Sequence, residues 1–337
     1  MSWHGGMGEP VAHGGRLGEA RRLFPDAPEP FLDLSTGINP VAYPLPALEP
    51  ALFTRLPEPE QAAALERDAA RAYGVAAGEM VAAAPGTQIL IDLLARLWPL
   101  SPVGVLGPTY SEYARAWARA GGKVECVTDP AALRGAAVAV VCNPNNPDGR
   151  RLDPDWLLGL ADHLAARGGV LVVDEAFADF EEPALSLAPA LPHPGLVILR
   201  SFGKAYGLAG LRLGFALAAP ERARTIREAL GPWAVSGPAI AIGRRALGDA
   251  AWRAAAAARL ARDGRELDAC LTSAGLRVLG GTALFRLAAA DDARSVFARL
   301  GRAGIFVRRF DDHPGWLRFG VPCQNRDIER IGLALRG

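Results

Sequence analysis

Short apolar runs, each bounded by turn-forming residues, recur along the first part of the chain at 103–106, 123–127, 137–142, 170–173, 196–199 and 213–217. Runs this brief and this rich in valine, isoleucine and leucine read as strands covered on both faces. Between them, 110–119 and 156–167 carry helical spacing. Strand and helix in alternation predict an α/β fold, a mostly parallel sheet with helices on both sides. After Gly231-Pro232 the pattern changes to a long Ala/Arg helix through 252–265. Short strands follow near 276–279 and 284–287, then another helix, then strands at 305–308 and 317–321, which together read as a smaller α/β domain. The proline-rich stretch 25–59 reads as an extended arm and linker.

Composition narrows the function classes. With 337 residues, half of them hydrophobic, the chain can bury a large core and make two domains. A formal charge of +1 with 22% charged residues offers no basic surface for nucleic acid and no acidic tail. No run of eighteen apolar residues occurs and Met1-Ser2-Trp3-His4-Gly5 opens no signal peptide, so a soluble, cytoplasmic protein with no membrane partner is expected. Cys126, Cys142, Cys270 and Cys323 lack the paired spacing of a zinc site or a disulfide framework and read as free thiols. The five histidines are equally dispersed, and no metal site is expected.

The chemistry centres on Lys204, in Ser201-Phe202-Gly203-Lys204, with Arg212 eight residues later in Gly210-Leu211-Arg212-Leu213-Gly214. A hydroxyl before the amine and a guanidinium after it, in a glycine-broken loop, suit a phosphate dianion beside an aldehyde condensed with the amine. That describes pyridoxal phosphate held as a Schiff base. Asp174 ends the run 170–173, where α/β sheets place ligand groups; a carboxylate there can pair with the protonated ring nitrogen. The run 137–142 opens into Asn143-Pro144-Asn145-Asn146-Pro147-Asp148-Gly149, a turn from which Asn146 can reach the ring's phenolic oxygen or serve only its own backbone. Gly86, Thr87 and Gln88 precede an apolar helix whose first turn offers N–H groups to an anion, with Thr87 otherwise its cap. Gly207 to Gly214 lacks the glycine spacing of a dinucleotide fingerprint, and no Gly-Lys-Ser/Thr phosphate loop occurs.

In this order, Gly-Thr at a helix start, Tyr110, the Asn-Pro turn, Asp174, Ser-x-x-Lys and Arg212 resemble the fold-type-I pyridoxal-phosphate enzymes of the aminotransferase class I/II family, from about Ser35 to Arg330. The resemblance implies a mostly parallel seven-stranded sheet whose 213–217 strand is antiparallel, and Tyr110 stacked on the cofactor ring. It also implies residues 1–45 as an arm contributing to the small domain and active site, 46–230 as the large cofactor-binding domain, 231–337 as the small domain, an active site where the domains meet, and a homodimer. Arg318, in Trp316-Leu317-Arg318-Phe319-Gly320, occupies the place of the family's carboxylate-binding arginine. Arg308 is the candidate for the phosphate arginine found in relatives that act on phosphorylated amines, and Arg309 its surface neighbour; strand alternation does not choose between them.

His13-Gly14-Gly15-Arg16, followed by Ser35-Thr36-Gly37-Ile38-Asn39-Pro40, is similar to the start of the threonine-phosphate decarboxylases of cobalamin synthesis, which makes His13, Gly37 and Asn39 candidate substrate contacts together with Asn146, Arg308 and Arg318. Phe177 points the same way, because many aminotransferases of the family carry a tyrosine there whose hydroxyl bonds the cofactor. Leu56 departs from the Arg-Tyr-Pro by which relatives send a tyrosine across the dimer to the cofactor phosphate. The resemblance thus implies a small phosphorylated amino acid as substrate: L-threonine O-3-phosphate, decarboxylated to (R)-1-amino-2-propanol O-phosphate with Asp174 keeping the ring nitrogen protonated and Lys204 the candidate acid. The alternative is histidinol-phosphate aminotransferase or a related aminotransferase. A cofactor-binding sensor would need a DNA-binding appendage, for which the short N-terminal segment leaves no room.

Overall fold

A computed structural model of the chain describes residues 14–181 and 185–336. Twelve strands are formed among these residues: β1 (Leu32–Leu34), β2 (Val81–Ala84), β3 (Val103–Leu106), β4 (Val124–Val127), β5 (Val138–Cys142), β6 (Val170–Asp174), β7 (Leu196–Arg200), β8 (Gly214–Ala218), β9 (Arg277–Thr282), β10 (Phe285–Ala289), β11 (Ile305–Arg309) and β12 (Trp316–Gly320). They make a seven-stranded sheet in the order β2-β8-β7-β6-β5-β3-β4 and a five-stranded sheet in the order β1-β11-β12-β10-β9. The chain divides into two compact units. The first comprises Ala42–Asn146 and Arg151–Trp252, and the second comprises 14–41, Pro147–Arg150 and 253–336.

In the first unit β3 to β7 run parallel, and β8 lies antiparallel between β2 and β7, as the resemblance implies. The apolar runs give strands because their residues have no solvent face: every position of β5, β6, β7 and β8 is buried. Each Val, Leu or Ile placed there contributes about 1.5–3 kcal/mol, and the β-branched ones also favour the extended backbone. The flanking helices start on readable signals. Pro154–Ala165 has Asp153 as N-cap, its carboxylate accepting from Trp156 N, with proline in the first turn.

Two first-unit elements go beyond the sequence expectation. β2 reads Val-Ala-Ala-Ala, with little intrinsic strand preference, and is extended because its pairing with β8 buries it completely. The helix Pro59–Tyr73 follows the proline-rich stretch directly; Glu58 and Gln61 form a capping box and Gly74 closes it in the left-handed region. The arm itself contains β1 and the short helix Ala51–Thr54.

Register brings chemistry to one edge of the large sheet. Cys142 pairs with Asp174 across β5 and β6, and Asp174 with Leu199 across β6 and β7, so the loops leaving all three strands emerge side by side at their carboxyl ends. In the second unit β1 pairs in parallel with β11, and β11 and β12 are antiparallel with Arg308 opposite Arg318. Among the described residues, no helix is long and apolar enough to cross a membrane.

Candidate active site

Asp174 ends β6 and is 3% exposed. Its Oδ1 accepts from Ala176 N at 2.9 Å and its Oδ2 from Tyr113 Oη at 2.6 Å, so two donors fix the carboxylate's orientation. Tyr113, on the helix Glu112–Arg119, is itself buried. Burial first, then the charge of Asp174, pushes its phenol well above the usual range, so it remains a donor. Sequence reasoning did not single out Tyr113. The available signal was its spacing, three residues after Tyr110, just inside the helix that Tyr110 precedes. The two rings meet edge-on at 5.6 Å and 84°.

Beside Asp174, the Cys142 thiol donates to the Pro144 carbonyl at 3.3 Å. Burial, then the charge of Asp174, pushes that thiol up to about 12, so it is a neutral filler and no nucleophile. All four cysteines are free thiols, as expected. The turn after β5 uses two of its three asparagines for structure. Asn143 bonds the backbone of Leu152 through both ends of its amide, at 3.3 and 2.8 Å. Asn145 donates to the Pro108 carbonyl at 2.9 Å and accepts from Thr109 Oγ1 at 2.7 Å. Asn146 follows at the same edge, half-buried.

Lys204 lies in the one-turn helix Phe202–Ala205 directly after β7, with Ser201 as its buried N-cap. Its Nζ stands 4.9 Å from the centre of the Phe177 ring. The tyrosine-to-phenylalanine departure read from the sequence therefore sits against the lysine itself, where an ammonium gains from an aromatic face.

Arg212 closes on the start of the helix Thr87–Leu97. Gly86, not Thr87, is its N-cap, at φ +89°, and no side chain caps it, which leaves first-turn N–H groups for a ligand. A methyl group on Gly86 would stand 2.6 Å from Arg212 Nη2, and one on Gly214 would stand 2.9 Å from Thr87 N. Glycine at both places lets Arg212 and β8 close on the helix start. Arg212 sits in the left-handed region at φ 55°, its Nη1 donating to the Ala209 carbonyl at 3.1 Å. Gln88 turns its side chain aside. Its Oε1 accepts from Tyr110 Oη at 3.0 Å and its Nε2 donates to Asp92 Oδ2 at 3.1 Å, so any anion contact it makes comes from its backbone.

These contacts join most of the first-unit candidates: Arg212 to Gly86, Gln88 to Tyr110, Tyr110 through Tyr113 to Asp174, and Lys204 to Phe177. They suit one group that has an anionic end, a ring with a basic nitrogen and an amine-reactive carbon.

The second unit gathers arginines. Arg318 is 7% exposed; its Nη2 donates to the Ser35 carbonyl at 2.8 Å and its guanidinium lies 5.2 Å from the Phe285 ring centre. Burial, and then the positive charge of Arg308, pushes its pKa down to about 10. Arg308 is half-buried and likewise pushed down by burial, whereas Arg309 is exposed and lies against Phe297. Gly37 is buried, and Asn39 Oδ1 accepts from Arg259 Nη2 at 2.7 Å and from Val41 N at 3.1 Å. Arg259, on the long helix Ala250–Ser273, was unmarked in the sequence because nothing in a run of alanine and arginine distinguishes one guanidinium from the next. Gly15 N donates to Ser35 Oγ at 2.8 Å, and a methyl group on Gly14 would stand 2.2 Å from the Ser35 carbonyl, so this glycine pair lies flat on the strand-end loop. His13 lies outside the described residues.

Known proteins share both the sequence and the fold. Over 332 residues the chain is 46% identical to a threonine-phosphate decarboxylase of a Sinorhizobium species, 98% of each chain being covered. It is 41% identical to a threonine-phosphate decarboxylase of Pseudomonas aeruginosa, covering 97% of this chain and 98% of the relative. Among solved structures, the Sinorhizobium meliloti histidinol-phosphate aminotransferase in complex with pyridoxal 5'-phosphate superposes with a TM-score of 0.81 at 22% identity, over 98% of this chain and 95% of that one. That identity speaks to the fold alone. The model of the family "Aminotransferase class I and II" matches residues 42–332, and the chain belongs to that family.

Proposed function

We propose that the chain holds pyridoxal 5'-phosphate on Lys204 and decarboxylates L-threonine O-3-phosphate to (R)-1-amino-2-propanol O-phosphate, a step of cobalamin synthesis. The residues fit the cofactor. Gly86, Thr87, Ser201 and Arg212 would take its phosphate, Asp174 its ring nitrogen, Asn146 its phenolic oxygen and Tyr110 its ring face. Bound there, the cofactor supplies an electron sink for charge developing at the substrate's α-carbon.

The chain's own residues then choose the bond and manage the protons. Arg318 grips the α-carboxylate with parallel N–H groups and sets the bond to be broken across the ring plane. Arg308, His13 and the backbone around Gly37 and Asn39 hold the substrate phosphate. Asp174, oriented by Tyr113 and Ala176 N, keeps the ring nitrogen protonated. As the bond to the carboxylate breaks, its electron pair stays at the α-carbon and carbon dioxide leaves. Lys204 Nζ, released from the cofactor when the substrate's amine takes its place, would then deliver a proton to that carbon.

The observation that carries the substrate assignment is the Arg308–Arg318 pair, two like charges opposite each other on adjacent strands, one of them buried. Such a pair is costly alone and is relieved by a bound anion. The two relatives at 46% and 41% identity, both threonine-phosphate decarboxylases, support the same substrate. A transaminating alternative also has support among relatives, such as a histidinol-phosphate aminotransferase of Shewanella amazonensis 34% identical over 72% of this chain. Phe177 favours decarboxylation, since it withholds the hydroxyl that many aminotransferases supply.

Exposed Phe53, Leu56 and Trp233, at 67%, 64% and 58%, support assembly with a second copy of the chain. Four free thiols suit the reducing cytoplasm. Borohydride treatment of the cofactor-loaded protein, followed by peptide mass analysis, tests the assignment of Lys204. The expected result is cofactor fixed on that lysine and a visible band that glutamate does not change. Fixation elsewhere, or bleaching by glutamate as in an aminotransferase half-reaction, contradicts the proposal.

A further inference from the structure

The Tyr110 hydroxyl is the first link of a side-chain chain that leads away from Asp174 and Lys204. Tyr110 Oη is 3.0 Å from Gln88 Oε1, Gln88 Nε2 is 3.1 Å from Asp92 Oδ2, and Arg119 pairs with the other Asp92 oxygen. Donor chemistry fixes the direction of every link. A carboxylate only accepts, so the Gln88 amide turns its NH2 toward Asp92 and its oxygen toward Tyr110, and the phenol must be the donor. Burial, then the charge of Glu112, pushes the Tyr110 phenol up to about 12, so that proton is present throughout the neutral range. Arg119 and Asp92 side chains are 49% and 23% exposed, so the outer end of the chain reaches solvent while its inner end sits on the tyrosine.

We propose that Gln88 is a positioning residue that captures the Tyr110 hydroxyl and sets the ring, so that Tyr110 works through its aromatic face alone and never as a proton donor to substrate. The edge-on contact with Tyr113 at 5.6 Å is the second clamp on the same ring. The Arg119–Asp92 pair polarises the Gln88 amide and holds its rotamer, so the ring is steered from outside the site. This inference rests on Tyr110 facing the bound cofactor, as proposed above.

The test is a double-mutant cycle on the dissociation constant of pyridoxal 5'-phosphate, with Gln88→Met, Tyr110→Phe and the double variant, alongside the pH profile of kcat for Tyr110→Phe. Each single variant should weaken cofactor binding about three- to tenfold, the worth of one hydrogen bond, and the double variant no further than either. The Tyr110→Phe profile should run parallel to that of the unaltered enzyme. Losses that multiply in the double variant overturn the coupling. A fall in kcat beyond about a hundredfold in Tyr110→Phe, with its alkaline limb altered, overturns the ring-face role and makes the tyrosine an acid. If the unaltered protein takes up no cofactor, the cofactor assignment falls and this inference with it.

Discussion

Tyr113 touches no reacting atom, yet it decides how Asp174 is presented. Replacing it by phenylalanine removes one of two donors from a buried carboxylate, an interaction worth about 1.5–3 kcal/mol. We expect Tyr113→Phe to lower kcat by about tenfold or more while KM changes little, which steady-state kinetics will show. Lys204→Ala should abolish both the visible band of the loaded protein and turnover. Arg318 has a pH signature. Its folded pKa of about 10 lies below its ordinary value, so the unfolded chain holds that proton more tightly. Stability should therefore rise as pH climbs through about 10, and below it the full cost of a buried charge is present. Inorganic phosphate should raise the melting temperature of the cofactor-loaded protein, whose other phosphate site is filled, and raise it less in Arg308→Met; differential scanning fluorimetry measures both. At this scale the sequence was most legible where a residue type has few other uses: Lys204 after Ser201, and Asp174 at a strand end. It was least legible where a common residue acts through another, as Tyr113 and Arg259 do.

Among elements, the strands of the large sheet could be read because each is an unbroken apolar run. β2 could not, since three alanines carry no strand signature and only pairing with β8 makes them extended. The start of the helix Thr87–Leu97 was legible, whereas the identity of its cap was not. Thr87 looks the better cap by side chain, but the Arg212 guanidinium leaves room for hydrogen alone at Gly86. Gly86→Ala would strain a backbone at φ +89° and push Arg212 away. It should weaken the cofactor by more than about tenfold, with a stability loss of about 1–3 kcal/mol. Fluorescence titration with pyridoxal 5'-phosphate and chemical denaturation report these two effects separately.

At the scale of the molecule, alternation of strand and helix gave the class of fold; the change of pattern after Gly231 suggested a second α/β region there, whereas residues up to Trp252, with the helix Gly237–Gly248, belong to the first unit. The course of the chain was less visible. Its early segment 14–41 joins the C-terminal part because β1 pairs with β11, a contact between positions far apart that no local pattern announces. Exposed Phe53, Leu56 and Trp233 predict a second copy of the chain against the first unit. Sedimentation should give twice the chain mass, and Phe53→Lys combined with Leu56→Lys should shift it toward the single chain.

The most direct test of the whole account is a carbon balance. Enzyme loaded with pyridoxal 5'-phosphate is given L-threonine O-3-phosphate with no 2-oxoacid present, and carbon dioxide and amine are followed together. The account predicts one carbon dioxide and one 1-amino-2-propanol O-phosphate for each substrate consumed, over many turnovers. Consumption that stops after one equivalent of cofactor, leaving a 2-oxoacid and no carbon dioxide, would contradict it.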